Sequence, residues 1–511
     1  MDKPFDPAEL RPTRPPGPTP PPHWRVGKTP VEHSVLQQQT RALLSHPYDP
    51  SPWIARAETL SLLDFPELAV GDAYKAVRLC KSMLEFVSSR SDERWSLGSS
   101  RGFWMREDND SEGTGRQDEI DKLRTSLNDL WIDARGIQAS NMDYHHNREG
   151  KYIPQAYPWL EEKHRVRGQY VLDEIARAIG TNKAKTPEDQ PCVKVKRCSF
   201  QPGEEDVSES APLGVFATCD LPSGHRILID RTEFFGCSGP GPGNSKNVLG
   251  GSFGCLHPLH PNLANDESSH DLRWVRERAG QYAADPVLLC RTLLASTVST
   301  ASQSPLDLPE IARLTPTYHR QNTKTFDLST DIEIPNEALQ QFGIDIFANH
   351  HYDTWVIFTL AARLRNNSWS SPVAAALNPL FSLFNHSCEP TVEWETRKDH
   401  RTIDLRLSRD VVAGEQLFVE YDGFMHSSPL EARRERLSKW IDGPCLCTRC
   451  VREEELAAAL ASVHAAAASE KRKFHQKLSV VACGHDDDYD DEIANRVSLS
   501  LGILVFLWTC L

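Results

Sequence analysis

Three cysteines crowd together as Cys445-Leu446-Cys447-Thr448-Arg449-Cys450. A structural zinc takes four ligands in a tetrahedron, and this run supplies three closely spaced thiolates. Upstream, Ser382-Leu383-Phe384-Asn385-His386-Ser387-Cys388-Glu389-Pro390 sets an amide, an imidazole and a thiol side by side. Asn385 and His386 offer the donors and acceptors that the polar ends of a small ligand need, although an Asn-His pair is more often a hydrogen-bonded loop element. A third stretch, Gly414-Glu415-Gln416-Leu417-Phe418-Val419-Glu420-Tyr421, ends a strand-like run on a tyrosine. Taken alone, a tyrosine at a strand end is usually core.

The elements that must position these residues can be read from periodicity. Apolar alternation at 391–395, 403–407 and 416–420 predicts short strands, joined by Val193, Val195, Gly214 to Ala217 and Arg226 to Ile229 upstream. Helical patterns cover 119–135, 160–180, 336–365 and 452–478. Residues 51–84 read as a helical hairpin turning at Phe65-Pro66, with Ala57, Ala69, Ala73 and Ala76 small enough for close approach. That hairpin resembles one tetratricopeptide unit, without a second copy. Its apolar face, with Trp53, Leu60 and Val77, needs cover from the main domain or a partner. Residues 1 to 30 hold ten prolines, and 1–45 is expected to be a disordered arm without a core.

In order along the chain, the four stretches closely resemble a SET domain. Leu213-Gly214-Val215-Phe216-Ala217-Thr218 with Leu221-Pro222-Ser223-Gly224 is similar to its opening strand and turn. The Asn-His and Glu-Tyr stretches are similar to its two signature motifs, and the Cys-x-Cys-x-x-Cys run to its post-SET cluster. Asn367-Ser368-Trp369 is similar to an element of the SET-and-MYND subfamily, whose own paired-Cys zinc module is absent. The likeness covers roughly 205 to 452. It implies an α+β fold: a β-rich SET domain of short strands with inserted helices over 192–440, interrupted by a loop-rich insertion at about 237–325. A zinc-bound post-SET segment at 441–452, a helical region at 46–185, a C-terminal helix at 453–480 and an acidic then apolar tail at 481–511 complete the expected organisation.

The resemblance also implies chemistry: methyl transfer from S-adenosylmethionine to a lysine side chain of a protein substrate, with histones among the candidates. On that reading Gly214, Asn367, Phe384, Asn385 and His386 bind the cofactor, Gly214 by letting backbone approach without a Cβ. Tyr421 is the catalytic residue, its hydroxyl beside the transferring methyl. Trp369, Phe384 and Phe424 are candidate walls of the lysine channel. Cys388 joins Cys445, Cys447 and Cys450 as the fourth ligand of a structural zinc. Several positions depart from the family pattern. Pro212 replaces a glycine, Thr391 replaces an asparagine, and Ile441 and Gly443 stand where a second aromatic often sits, with Trp440 adjacent. Between the SET halves Cys237, Cys255, His257, His260 and Cys290 lack paired spacing.

Bulk properties narrow the rest. Net charge is −14, with 39% hydrophobic and 25% charged residues, which speaks against sequence-specific nucleic-acid binding and suits a basic partner. The Pro-rich opening has no apolar run of signal-peptide length, so the thirteen cysteines read as thiols or ligands of a nuclear or cytoplasmic protein. Val497 to Leu511 is apolar but, at 15 residues, shorter than the roughly 20 that span a bilayer, and no membrane association is expected. The rival to an enzyme is a catalytically weak SET scaffold that binds partners through its helical N-terminal region.

Overall fold

The computed structural model describes residues 30–89, 95–97, 104–106, 115–147, 151–152, 154–186, 188–198, 211–237, 272–280, 283–299, 304–316, 324–371, 374–396, 402–423, 427–441 and 443–482. They fall into two units, 1–447 and 448–511.

The first unit opens with helices α1 (Pro30–Ser45), α2 (Pro50–Leu62) and α3 (Pro66–Ser89). Asp49 caps α2 by accepting the Ser51 amide hydrogen at 2.9 Å, and Pro50 sits where a helix needs no amide hydrogen. Ala57, Ala69, Ala73 and Ala76 are fully buried between α2 and α3. The expected arm over 1–45 needs correction: α1 occupies its last sixteen residues and buries Leu36 and Leu43 completely. Proline-rich composition hides this helix, because it follows on a run of prolines and begins with one, Pro30. The long helix α4 (Gly115–Asn147) packs on α3, and α5 (Glu162–Arg165) and α6 (Gln169–Gly180) lead toward the sheets.

An ionic knot fastens this helical region to the rest of the unit. Arg56 Nε donates to Asp72 at 2.6 Å, and Arg56 Nη2 and Lys75 Nζ reach Asp353 Oδ1 at 3.0 and 3.3 Å. All four side chains are buried. The Lys75 ammonium lies 4.6 Å from the Trp53 ring centroid, a favourable cation–π placement. Asp353 also caps the helix that starts at Thr354, accepting the Thr354 amide hydrogen at 2.8 Å. Burial would raise the Asp353 carboxyl, but Arg56 and Lys75 hold it well below the usual carboxylate range. One apolar core runs through Leu43, Trp53 and Leu79 into Leu289, Phe347 and Leu360, so the hairpin's face is covered by this chain itself.

The strands that carry the signature stretches are β1 (Val193–Arg197), β2 (Leu213–Ala217), β3 (Arg226–Arg231), β4 (Phe234–Cys237), β5 (Trp369–Ser371), β6 (Ala374–Leu377), β7 (Asn385–His386), β8 (Val392–Thr396), β9 (Thr402–Leu407) and β10 (Gln416–Val419). They form three small sheets, ordered β7-β10-β2-β1, β8-β9-β3 and β4-β6-β5. The first two close over Val193, Val215, Leu228, Phe384, Ile403, Leu405, Leu417 and Val419, with Ile175 and Ile179 of α6 beneath. This is the mixed, strand-rich arrangement the sequence implies.

The span expected as a loop-rich insertion holds helices among its described residues, chiefly α7 (Arg273–Ala279) and α8 (Ala284–Val298). Twelve consecutive or near-consecutive residues of α8 are buried, from Ala284 to Ser296, so it has no polar face for periodicity to detect. It presses on β4, where a Cβ added to Gly236 would overlap the Ala284 carbonyl. Helices α9 (Pro309–Ala312), α10 (Ile334–Gln341), α11 (Thr354–Asn367) and α12 (Leu430–Leu437) complete the unit. The described residues of the second unit form one helix, α13 (Thr448–Ala482). No helix among the described residues is long and apolar enough to cross a membrane; residues 1–29 and 483–511, with the apolar tail, lie outside the described residues.

Candidate active site and metal cluster

Strand β7 is only Asn385 and His386, and it pairs in parallel with Phe418 and Val419 of β10. That pairing places the Asn-His pair beside the chain just before Tyr421. Asp230, at the end of β3, helps set the approach. Its buried carboxylate accepts the Leu380 and Phe381 amide hydrogens at 2.9 and 2.7 Å. Burial outweighs these bonds and pushes the Asp230 carboxyl up to about 7.

Tyr421 is held at both ends. Its amide N–H donates to His386 Nδ1 at 3.1 Å, and its hydroxyl donates to the Phe384 carbonyl at 2.9 Å. Burial raises the hydroxyl above the ordinary tyrosine range, so the phenol stays neutral. Its ring meets His386 at 5.2 Å and Trp440 edge-on at 6.3 Å between centroids. Arg436 of α12 pairs with Asp422 at 2.9 Å, keeping the Trp440 segment close.

His386 uses both ring nitrogens inside the protein. Because Nδ1 accepts from the Tyr421 amide, the neutral ring carries its proton on Nε2, which faces Cys388 Sγ at 3.3 Å. Burial pushes the imidazole down to about 4, which keeps it neutral. The ring therefore ties the tyrosine to a cysteine, rather than presenting its own nitrogens to a ligand. The Asn385 amide donates to the Leu213 carbonyl at 3.1 Å and approaches Cys198 Sγ at 3.6 Å. That bond joins β7 to the opening strand β2, where a Cβ added to Gly214 would stand 2.6 Å from the Gln416 amide. A side chain there would have to displace the Gln416 amide and crowd Cys198 and Phe216, at a place that also borders Asn385.

The sulfurs of Cys388, Cys445 and Cys447 lie within 4.8 Å of one another. Cys388 and Cys445 are buried. Hydrogen bonding with Cys445 and Cys447, then burial, drives the Cys388 thiol far above its usual range. Cys388 pulls the Cys445 thiol down, but Cys447 and burial carry it up to about 12. Thiols so close can ionise together only around a cation, so this donor set fits a thiophilic metal such as zinc. Cys450 lies buried in the first turn of the helix that forms the second unit, three residues along the chain from Cys447. Cys290 is fully buried in α8, its thiol pushed up to about 12 by burial, and no second metal-type cluster gathers among the described residues.

The remaining predicted residues sit as follows. Phe384 is buried in the sheet core while its carbonyl serves Tyr421. The Asn367 side chain accepts the Thr315 amide hydrogen at 2.9 Å and donates to the Thr315 and Arg363 carbonyls at 3.1 and 2.8 Å. It locks a loop, and its amide has no donor left over. Trp369 Nε1 donates to Asn378 at 3.0 Å, and Phe424 lies outside the described residues. Thr391, the departure from asparagine, keeps the loop joined to β10: its hydroxyl accepts the Phe418 amide hydrogen at 2.8 Å.

Residues missed by the sequence reading include Cys198, Gln416 and Arg167. Gln416 and Asn385 both direct amides at the Cys198 sulfur. Arg167 is buried, yet among the described residues no carboxylate pairs with it. Its contact to the Thr315 hydroxyl is long, at 3.4 Å, and its carbonyl accepts from Arg197 at 2.7 Å. Burial and neighbouring Arg197 pull its guanidinium down to about 10, against the pull of Cys198 and Tyr421. A lone arginine in a loop carries no spacing signal, so only the folded chain reveals it.

With this geometry in hand, residues 212–422 match the family model of the SET domain. The chain carries a SET domain there, framed by the strands, the Asn-His pair and the tyrosine just described. A SET and MYND domain-containing protein of Dictyostelium discoideum is 32% identical over 99 residues, 19% of each chain. The histone-lysine N-methyltransferase SET5 of Yarrowia lipolytica is 41% identical over 73 residues, 14% of this chain and 16% of that protein. The chain thus spans less than a fifth of the length of the curated relatives it matches. A crystal structure of the SET domain of LSMT bound to lysine and AdoHcy aligns over 53% of this chain and 57% of that one, at 13% identity and a TM-score of 0.26, too loosely to position any residue.

Proposed function

We propose that this chain is a protein-lysine N-methyltransferase that uses S-adenosylmethionine. The observation that carries the reading is the fixed tyrosine: Tyr421 beside the Asn385-His386 pair, its hydroxyl hydrogen committed to the Phe384 carbonyl. The oxygen lone pairs are then free to face positive charge. When bound, the sulfonium cofactor supplies an electrophilic methyl group. The chain's part is to orient and desolvate, since an in-line displacement needs alignment above all. The Tyr421 oxygen offers electrostatic stabilisation where charge moves. Arg167 supplies a buried cation without a carboxylate partner, suited to the carboxylate of the cofactor's amino-acid arm, and Gly214 keeps the opening strand free of a side chain. The apolar surround of Tyr421 and Trp440 favours the neutral form of a lysine amine, as the reaction requires.

In this reading a zinc ion held by Cys388, Cys445, Cys447 and, from the next unit's first turn, Cys450 is structural, because four thiolates leave no open position. The substrate is a lysine-bearing protein, with histones one class and other basic proteins another, in the nucleus or cytoplasm. The test is transfer of labelled methyl groups from S-adenosylmethionine to histones and to cell extract, followed by mass spectrometry of the labelled lysine.

A second reading, a SET scaffold that binds cofactor weakly or not at all, draws on Asn367 and His386, whose side chains are fully occupied within the protein. Calorimetric titration with S-adenosylhomocysteine separates the two: no binding supports the scaffold.

A further inference from the structure

Helix α13 carries a row of large apolar side chains that nothing among the described residues covers. Leu456, Leu460, Val463 and Phe474 are 60%, 53%, 63% and 50% exposed. Successive residues of an α-helix turn by about 100°, so these four and Ala467 fall within an arc of about 60° along one face. Alanines at 457–459, 461 and 465–468 flank the row and let another helix come close.

The charges on the same helix say which way that other helix runs. Glu453, Glu454 and Glu455 precede the stripe, and Lys471, Arg472 and Lys473 follow most of it, each eighteen residues after its acidic counterpart. Eighteen residues make about five full turns, so Glu453 and Lys471 share one side of the stripe, and Glu455 and Lys473 the other. In an antiparallel pair, same-side positions of the two helices face each other. A second copy centred on Val463 therefore sets Glu453 toward Lys471 and Glu455 toward Lys473 of the other chain, twice, while Glu454 and Arg472 fall on the face away from the stripe. A parallel copy in register stacks like on like, and a parallel copy shifted by five turns leaves half the charges unmatched and an open end for further chains. The internal pair Glu470–Lys473 is exposed, so it is worth little and can exchange, whereas Arg449–Glu453 is half-buried.

We propose that α13 is a self-association helix: two copies of the chain pair their 448–482 helices antiparallel about Val463, burying the Leu456-Leu460-Val463-Ala467-Phe474 stripe. The device is independent of methyl transfer, since it uses none of the residues around Tyr421. It makes the protein a closed two-fold dimer.

The test uses the full-length chain in sedimentation velocity across a concentration series. The wild type should sediment at twice the chain mass. Lys471→Glu, Arg472→Glu and Lys473→Glu together should abolish the dimer, and adding Glu453→Lys, Glu454→Lys and Glu455→Lys should restore it. Because these positions are exposed, circular dichroism of each variant should match the wild type. Under mild oxidation Val463→Cys should cross-link to itself beyond the wild-type background, whereas Leu456→Cys, far from its own copy in an antiparallel pair, should not. A monomeric wild type at all concentrations, a dimer untouched by the triple reversal, or equal cross-linking at both cysteines overturns the proposal.

Discussion

The Tyr421 hydroxyl touches one protein atom, the Phe384 carbonyl, and its amide is held separately by His386. Removing only the oxygen should therefore leave the ring and backbone in place. For Tyr421→Phe we expect turnover to fall about a hundredfold, the order of one lost polar group at a reacting centre, with S-adenosylhomocysteine affinity nearly unchanged. Rates from single-turnover assays and affinity from calorimetry check this, and a parallel loss of both would assign the tyrosine to binding instead. Arg167→Gln should show the opposite split, at least tenfold weaker cofactor binding, about 1.4 kcal/mol, in a folded protein.

Asp230 makes a residue-scale prediction about pH. Its carboxyl sits at about 7 in the fold against 3.8 as its ordinary value. A raised acid binds a proton in the folded state where the unfolded chain has released it. The stability it contributes is full below about pH 4 and is lost as pH rises through about 7. Asn has no charge to desolvate and can still accept the Leu380 and Phe381 amide hydrogens. The melting temperature of Asp230→Asn, taken relative to wild type, should therefore climb between about pH 5 and about pH 8. A difference that stays flat over that range contradicts a buried, raised carboxyl.

Among the elements, the short strand β7 links the tyrosine to the cysteines, since His386 accepts from Tyr421 and faces Cys388. We expect one zinc per chain by elemental analysis and none after Cys447→Ser, with activity falling in step. Cys290→Ser, far from any metal-type cluster, should keep its zinc. A metal-free active enzyme would refute the shared role. The ionic knot of α2, α3 and α11 is equally specific. Asp353→Ala leaves Arg56 with Asp72 alone and takes from buried Lys75 the carboxylate it reaches, and should cost about 3–5 kcal/mol; a loss under about 1 kcal/mol in urea denaturation would show the knot to be incidental.

How legible these elements were depended on what each strand or helix faces. Strands β9 and β10 alternate between core and surface, so a period of two exposed them. Helix α8 is buried nearly all round and left no such trace. Helix α1 follows a proline-rich run that masked Leu36 and Leu43. At the site, Asn385, His386, Tyr421 and the cysteines were readable because they recur as spaced motifs. Their partners were not: that His386 serves Tyr421 and Cys388, and that Asn367 locks Thr315, are facts of packing. Arg167 reaches the site from the helical region, 254 residues before Tyr421 in the chain, and no local pattern could announce it.

At the scale of the whole molecule, the helical N-terminal region shares one core with strands β4 and β6 within the first unit, so the region does more than wait for partners. Arg167, in the stretch between α5 and α6, brings part of that region beside the tyrosine. The central claim is that Tyr421 serves methyl transfer to a protein lysine. Its most direct test incubates wild type and Tyr421→Phe, matched in zinc content and melting temperature, with labelled S-adenosylmethionine and a panel of histones and extract proteins. Label on a lysine ε-amine, confirmed by mass spectrometry and reduced about a hundredfold in the variant, is the predicted result. A wild-type protein that binds S-adenosylhomocysteine yet labels no lysine, or a Phe variant that labels as fast as wild type, would contradict it.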